Sequence, residues 1–374
     1  MEKQLKENIV WLDFDLVRNF MRDVFIKLGV PAEDAEISAD VLIESDKRGI
    51  DSHGLNRMKP IYYDRIKEGI QLPVTNFEVI KEGPATAVID GHNGMGHVIA
   101  KKSMQMAIDR AEKFGLGMVA VRNSTHYGIA GYYVLMAAER GMIGITGTNA
   151  RPSIAPTFGI ENMLGTNPLV FGIPTDEEFP FVLDCATSVS QRGKIEVYAR
   201  TGKPMPQGWV IDRQGESTTD PIAALNDLIA GTAALTPLGG IGEEGAGYKG
   251  YGYATVVEIL SAALQGGTYL KMLSGFRDGK KVPYTLGHFF MAIDISHFIE
   301  VNEFKKITGN ILRQLRNSKK MPGAERIYTA GEKEYLMWLE RKDRGVPAGE
   351  ELQAEIITMR NETGLTQYRF PFEK

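Results

Sequence analysis

Residues 98–148 constrain the fold more than any other part of the chain. Residues 98–114 carry a helical pattern, Gly117–Val121 is a short apolar run, residues 130–140 are again helical, and Ile143–Thr148 is a second apolar run. Strand, helix, strand in this order suggests a β-α-β unit, so the chain is read as α/β with a helix-covered sheet. Further strands are predicted at Thr86–Ile89 and at 169–173, 181–184 and 209–211. Residues 286–294 are apolar enough for a central strand. Helices are predicted at 220–235, 251–265 and 301–316.

Both chain ends read as helical. Leu16, Val17, Phe20, Val24 and Phe25 fall at helical spacing, with Gly29-Val30-Pro31 as stop and restart. A second run places Ile37, Val41, Leu42 and Ile43 near one face, and a third continues to about Lys67. The tail over 332–362 is helical and charged, broken at Gly345-Val346-Pro347.

Composition narrows the class. A chain of 374 residues predicts two or three domains. A net charge of −4 offers nothing for nucleic acid or an anionic membrane. The single cysteine, Cys185, excludes an intrachain disulfide and any zinc site built on several thiolates, which suits a reducing cytoplasm. The stretch MEKQLKENIV is charged and has no apolar core, so no signal peptide is expected there. No apolar run approaches the roughly 20 residues that span a bilayer.

Gly240-Ile241-Gly242-Glu243-Glu244-Gly245 spells the dinucleotide fingerprint G-x-G-x-x-G. It is read as a flexible loop instead. Pro237 precedes it, Ala246-Gly247-Tyr248-Lys249-Gly250 is not an apolar helix start, and two glutamates would repel pyrophosphate. No P-loop, H-x-x-x-H or C-x-x-C pattern occurs, and no metal is expected.

The chemistry-bearing candidates lie elsewhere. If Asp51-Ser52-His53-Gly54-Leu55-Asn56-Arg57 opens a helix, His53 and Arg57 share a face. An imidazole that exchanges a proton and a planar cation that holds a carboxylate suit a hydroxy acid. The bland alternative is a helix-cap histidine beside a surface arginine. His126, in Asn123-Ser124-Thr125-His126-Tyr127-Gly128, follows a predicted strand, where ligands of α/β proteins gather; its alternative is a loop histidine bonded to backbone. His92, His97, His288 and His297 are read as structural or surface, with His288 and His297 as core histidines beside phenylalanines. Asn149 and Arg151 in one polar turn, and Thr166 and Asn167 in another, lie near strands. Asp184-Cys185-Ala186 follows an apolar run and is placed either to hold a sugar hydroxyl or to cap a helix. Tyr248-Lys249-Gly250 offers a cation in a glycine-rich setting.

Six motifs in order then resemble one family: Asp51-Ser52-His53-Gly54 through Arg57, Asn123 to Gly128, Gly165-Thr166-Asn167-Pro168, Asp184-Cys185-Ala186-Thr187, Gly247-Tyr248-Lys249-Gly250-Tyr251-Gly252 and Met321-Pro322-Gly323. The chain looks like a type-2 malate/L-lactate dehydrogenase, a family that also holds sulfolactate, ureidoglycolate and diketogulonate oxidoreductases. The resemblance runs over about residues 12 to 365. It implies a non-Rossmann, mixed-sheet α/β nucleotide domain at 120–309 beside a helical substrate and dimerisation domain built from both chain ends, 1–119 with 310–374.

The resemblance also implies a homodimer and a nicotinamide cofactor, NAD with NADP as the alternative. The acid/base position falls on His126 in some members and His53 in others. Nucleotide contacts fall on Asp184, Cys185, Ala186, Tyr248, Lys249, Gly323, Ala324 and Glu325. The resulting expectation is hydride transfer between nicotinamide and a small 2-hydroxy or 2-oxo acid. His126 is the acid/base, His53 its partner, and Arg57 the carboxylate clamp. Asn149, Arg151, Thr166 and Asn167 complete the substrate site. Malate is favoured because Arg151, Arg192 and Lys249 offer a second cation. The alternatives are lactate, sulfolactate or ureidoglycolate dehydrogenase, diketogulonate reductase, a cyclic imino acid reductase, and a non-catalytic nucleotide-binding protein.

Overall fold

The computed structural model describes residues 9–373; the first eight residues of the charged N-terminal stretch lie outside it. Seven strands form the main sheet: β1 (Glu78–Glu82), β2 (Thr86–Asp90), β3 (Leu116–Ser124), β4 (Met142–Thr148), β5 (Leu169–Ile173), β6 (Phe181–Cys185) and β7 (Leu286–Asp294). Their order is β1-β2-β3-β7-β4-β5-β6. Only β2 and β3 pair in parallel; every other neighbouring pair is antiparallel, so the sheet is mixed.

Ten helices of nine residues or more accompany it among the described residues. They are α1 (Phe14–Lys27), α2 (Ala32–Lys47), α3 (Gly96–Phe114), α4 (Gly131–Glu139), α5 (Arg192–Thr201), α6 (Pro221–Ala230), α7 (Gly247–Ala262), α8 (Val301–Arg316), α9 (Glu332–Arg341) and α10 (Glu350–Thr363). None is long and apolar enough among the described residues to cross a membrane.

The expected unit around 117–148 forms, with one difference. β3 and β4 run in the same direction, but β7 lies between them, antiparallel to both. That places the predicted 286–294 strand at the centre. There its apolar side chains are covered on both faces, which agrees with a run lacking the alternation of a half-exposed strand.

Three apolar clusters organise the chain. The first joins α1, α2 and the segment to Tyr63 with α10 and the C-terminal tail, closed by a small strand pair, Val10–Leu12 with Val346–Ala348. Its N-terminal part follows the helical spacing: Val17, Phe20, Met21, Val24 and Phe25 are all buried. The second cluster lies between the sheet and α3 and α4. The third gathers Ile154, Leu164, Ile195, Val210, Leu235 and Ala254 beside the sheet.

The expected division at 119/120 falls inside β3, and β1, β2 and α3 from before it belong to the sheet's layer. The predicted helix over 220–235 stops at Gly231, and Ala233–Leu235 pairs with Val210–Asp212 as a strand. The G-x-G-x-x-G segment needs a correction too: a helix does begin just after it, at Gly247. The strand before it belongs to that small two-stranded pair rather than to the main sheet. The glycines let two backbone segments touch; a Cβ on Gly247 would lie 2.0 Å from the Gly240 carbonyl oxygen.

Candidate active site

His126 stands in the loop that leaves β3, and that loop is held from both sides. Asp90, at the end of β2, accepts from Arg122 Nε at 2.8 Å and from the Asn123 amide at 2.9 and 3.0 Å. The Thr125 hydroxyl donates to the Gly94 carbonyl at 2.8 Å and accepts from Gly96 N–H at 2.9 Å. After His126, the Tyr127 ring stacks on His288 with centroids 4.4 Å apart. The imidazole between these anchors therefore has little freedom.

His53 ends a 3-10 turn, Asp51–His53, and Arg57 closes the short helix Leu55–Arg57 that follows. Buried Asp46 of α2 holds this turn by accepting from Leu55 N–H at 2.9 Å. Gly54 is obligatory beside it, since a Cβ there would lie 2.0 Å from the Asp46 carboxylate. Arg341 of α9 braces the same segment, donating to the Asp46 carbonyl and to Asp51, each at 2.8 Å. Arg341→Ala should therefore raise KM for the acid substrate several-fold and cost about 1–3 kcal/mol of stability. An unchanged KM by steady-state titration would show that the turn holds itself.

The two imidazoles, 73 positions apart in the chain, come together. Their rings are stacked with centroids 5.7 Å apart. Desolvation, reinforced by Arg57, lowers the His53 imidazolium to about 4. Desolvation lowers His126 still more clearly, with His53, Arg65, His97 and Arg57 adding repulsion. Both rings are neutral at pH 7. An incoming carboxylate would offset the two guanidiniums and make the imidazolium easier to form.

Three cavities of about 340, 970 and 250 Å³ share Asp184 as a lining residue. The smallest is lined by His53, Tyr127, Gly128, Thr166 and Ala186, and the largest by Arg57, Cys185 and Ala186. Asp184 Oδ2 caps α4, accepting from Gly131 N–H at 2.7 Å, while its other oxygen has no partner among the described residues. Its side chain sits at an open edge with the carboxyl turned onto α4. Desolvation pushes it up to about 6 against that hydrogen bond, with Glu334 adding repulsion. Cavities that share Asp184, with its free carboxylate oxygen, hydroxyls and the His53 imidazole on their walls, fit an extended nucleotide plus a small acid.

Other expected residues lie differently. Asn149 and Asn167 are fully buried. Asn149 accepts from Gly287 N–H at 2.8 Å and donates to the Thr268 carbonyl at 3.0 Å; Asn167 donates to the Ala254 carbonyl at 3.1 Å and to Glu258 at 2.8 Å. These two amides brace the sheet against α7 and line none of the three cavities. Arg151 is exposed outside the three cavities, and Arg192 is paired to Glu196 at 2.9 Å. Tyr248 and Lys249 are exposed on the first turn of α7, and Gly323, Ala324 and Glu325 form an open turn; none lines the three cavities. The neighbouring Tyr328–Gly331 segment does line one of them. His288 is a core histidine, as expected, but His297 is exposed.

Two residues near the histidines escape a reading of the sequence, Tyr62 and Arg65. The one available signal was Pro60 within a helical pattern. Met58–Tyr63 is a π-helix, the kind of helical irregularity that often marks a functional site.

A mixed-sheet α/β fold with a polar cleft, a histidine pair and an adjacent guanidinium defines an oxidoreductase of the 2-hydroxy acid class. The Malate/L-lactate dehydrogenase family profile matches residues 12–357, and the chain belongs to that family. It is 45% identical over 359 residues to a malate dehydrogenase of Pyrococcus horikoshii, covering 96% of this chain and 97% of that one. It is 40% identical to an L-sulfolactate dehydrogenase of Methanocaldococcus jannaschii, covering 92% and 94%. The crystal structure of malate dehydrogenase from Entamoeba histolytica superposes with a TM-score of 0.92 at 44% identity, covering 97% of this chain and 100% of that one.

Proposed function

We propose that the protein interconverts malate and oxaloacetate with NAD, with His126 as acid/base, His53 beside it and Arg57 on the substrate carboxylate. The observation that carries this reading is the stacked pair of neutral imidazoles with Arg57 in the adjoining cavity. When bound, the nicotinamide accepts hydride from the alcohol carbon or returns it to the carbonyl. Neutral His126 takes the hydroxyl proton in oxidation; in reduction the imidazolium supplies it. Arg57 would orient the C1 carboxylate by a charge-assisted pair. Thr166 and Ala186 line the same cavity as His53. The unpartnered Asp184 oxygen would accept from an adenosine ribose hydroxyl. A 2′-phosphate there would meet both Asp184 and Glu334, which favours NAD over NADP.

Malate requires a second cation. Arg65 meets that need better than Arg151, Arg192 or Lys249. It is half-buried and stacked over Tyr284 at 4.4 Å, with no carboxylate partner among the described residues, and its charge acts on His126. Arg65→Gln should lower kcat/KM for oxaloacetate about ten- to a hundredfold and leave pyruvate within about twofold. The overall reading is tested by NADH and NADPH oxidation over pyruvate, oxaloacetate, sulfopyruvate and diketogulonate; failure with all four would sink it.

Tyr253, Val256 and Ile259 are each about half exposed along α7 and support a homodimer. The exposed Cys185 thiol suits a reducing cytoplasm.

A further inference from the structure

The chain between α7 and β7 reaches from the sheet's layer to the helical one. Its hairpin pairs Phe276–Arg277 with Lys280–Lys281, and Val282 N–H closes the base on the Gly275 carbonyl at 2.9 Å. Two contacts fasten this strap to the short helix Asp64–Lys67 and its cap. Lys281 donates to both Glu68 carboxylate oxygens at 2.9 Å, and the Arg65 guanidinium lies over the Tyr284 ring at 4.4 Å. The ion pair is exposed and contributes little. The Tyr284 ring is the firmer anchor because its own place is fixed. It rests on Gly275, where a Cβ would stand 2.5 Å from the ring's Cε1.

Arg65 has no other hold. No hydrogen bond or ion pair engages its guanidinium among the described residues. The adjacent carboxylates are taken, Asp64 by Lys59 at 3.1 Å and Glu68 by Lys281. A cavity of about 240 Å³, with Arg65, Tyr284 and Phe276 on its walls, leaves the side chain room to swing away. Stacking on a ring uses the flat face of a guanidinium and leaves its edge N–H donors free for an acid. Three residues before Arg65, the Tyr62 hydroxyl lies 2.6 Å from Nδ1 of His126, so the same stretch of chain reaches the proposed acid/base. We propose that Tyr284 is a positioning residue that aims Arg65 at the distal anionic group of a 2-oxo acid, carboxylate or sulfonate, and so sets the preference for dianionic over monoanionic substrates. The inference rests on Arg65 as the second cation.

The experiment measures NADH oxidation with oxaloacetate, sulfopyruvate and pyruvate for the wild type, Tyr284→Leu, Tyr284→Phe, Arg65→Gln and the double variant Tyr284→Leu with Arg65→Gln. Tyr284→Leu should raise KM about five- to twentyfold for whichever dianion the wild type reduces, with kcat and the pyruvate KM within about twofold. Tyr284→Phe keeps the ring face and should restore the wild-type KM. In the Arg65→Gln background Tyr284→Leu should change nothing further, because the ring then has no cation to hold. An equal effect on all three acids, no effect on any, or losses that add in the double variant would each overturn the proposal. Should Tyr284→Leu not fold, Tyr284→Gln takes its place in both backgrounds. Weakened dianion use in Arg65→Gln without any in Tyr284→Leu refutes only the role of Tyr284. An Arg65→Gln variant with the wild-type preference refutes the second-cation reading, and the inference with it.

Discussion

His126→Ala is expected to lower kcat for oxaloacetate reduction by about 10²–10⁴-fold, the range that a positioned proton donor supplies. NADH binding, followed by quenching or enhancement of its fluorescence, should change less than about threefold. The split is expected because the proposed nucleotide contact is the free Asp184 oxygen, while the His126 ring is assigned to the substrate hydroxyl. The loop should keep its course, since Asp90, Gly94 and the Tyr127–His288 stack anchor it independently of the ring. If turnover persists near the wild-type rate, His53 becomes the acid/base and His53→Ala is the next variant. If both variants stay active, the histidine pair is a structural stack and the chemistry lies elsewhere in the cleft.

Gly287→Ala should be among the most damaging single changes for stability, at about 3–5 kcal/mol. Gly287 lies in the central strand β7, at a register shift against β3. A Cβ there would stand 1.6 Å from the Ser261 carbonyl oxygen of α7, a backbone atom that cannot swing aside. Movement of the strand would also pull Gly287 N–H from Asn149 and its carbonyl from the Thr148 hydroxyl. Urea unfolding followed by circular dichroism should show a lower midpoint. A loss under about 1 kcal/mol would mean that α7 shifts freely on the sheet. The change also probes the third cluster, because α7 contributes Ala254 to it.

The strand and helix runs of the central sheet were largely readable because their residues obey simple periods. The same local signals were weak where pairing decides structure. Glu78–Glu82 forms a strand although all five residues are exposed, and Ala233–Leu235 carries no strong strand propensity; each is a strand because a partner lies alongside. The helix start at Gly247 was hidden because its first turn is glycine-rich, and what stabilises it is close backbone packing rather than an apolar stripe.

The site divides along the same line. His53, Arg57, His126, Thr166, Asp184 and Ala186 were identified by residue type and by place at strand ends or turns, and they share one region. Asn149 and Asn167 looked equally suitable, because a polar residue in a turn reads the same whether its amide faces a ligand or a buried carbonyl. Tyr62 and Arg65 resembled ordinary helix residues.

The linear order of residues was enough to establish an α/β chain with helical ends, a family resemblance and the chemistry-bearing side chains, because periodicity and motif order are local properties. Only the folded chain decided which polar groups meet, since hydrogen-bond partners such as Tyr62 and His126 are 64 positions apart and are brought together by packing of the helical layer on the sheet.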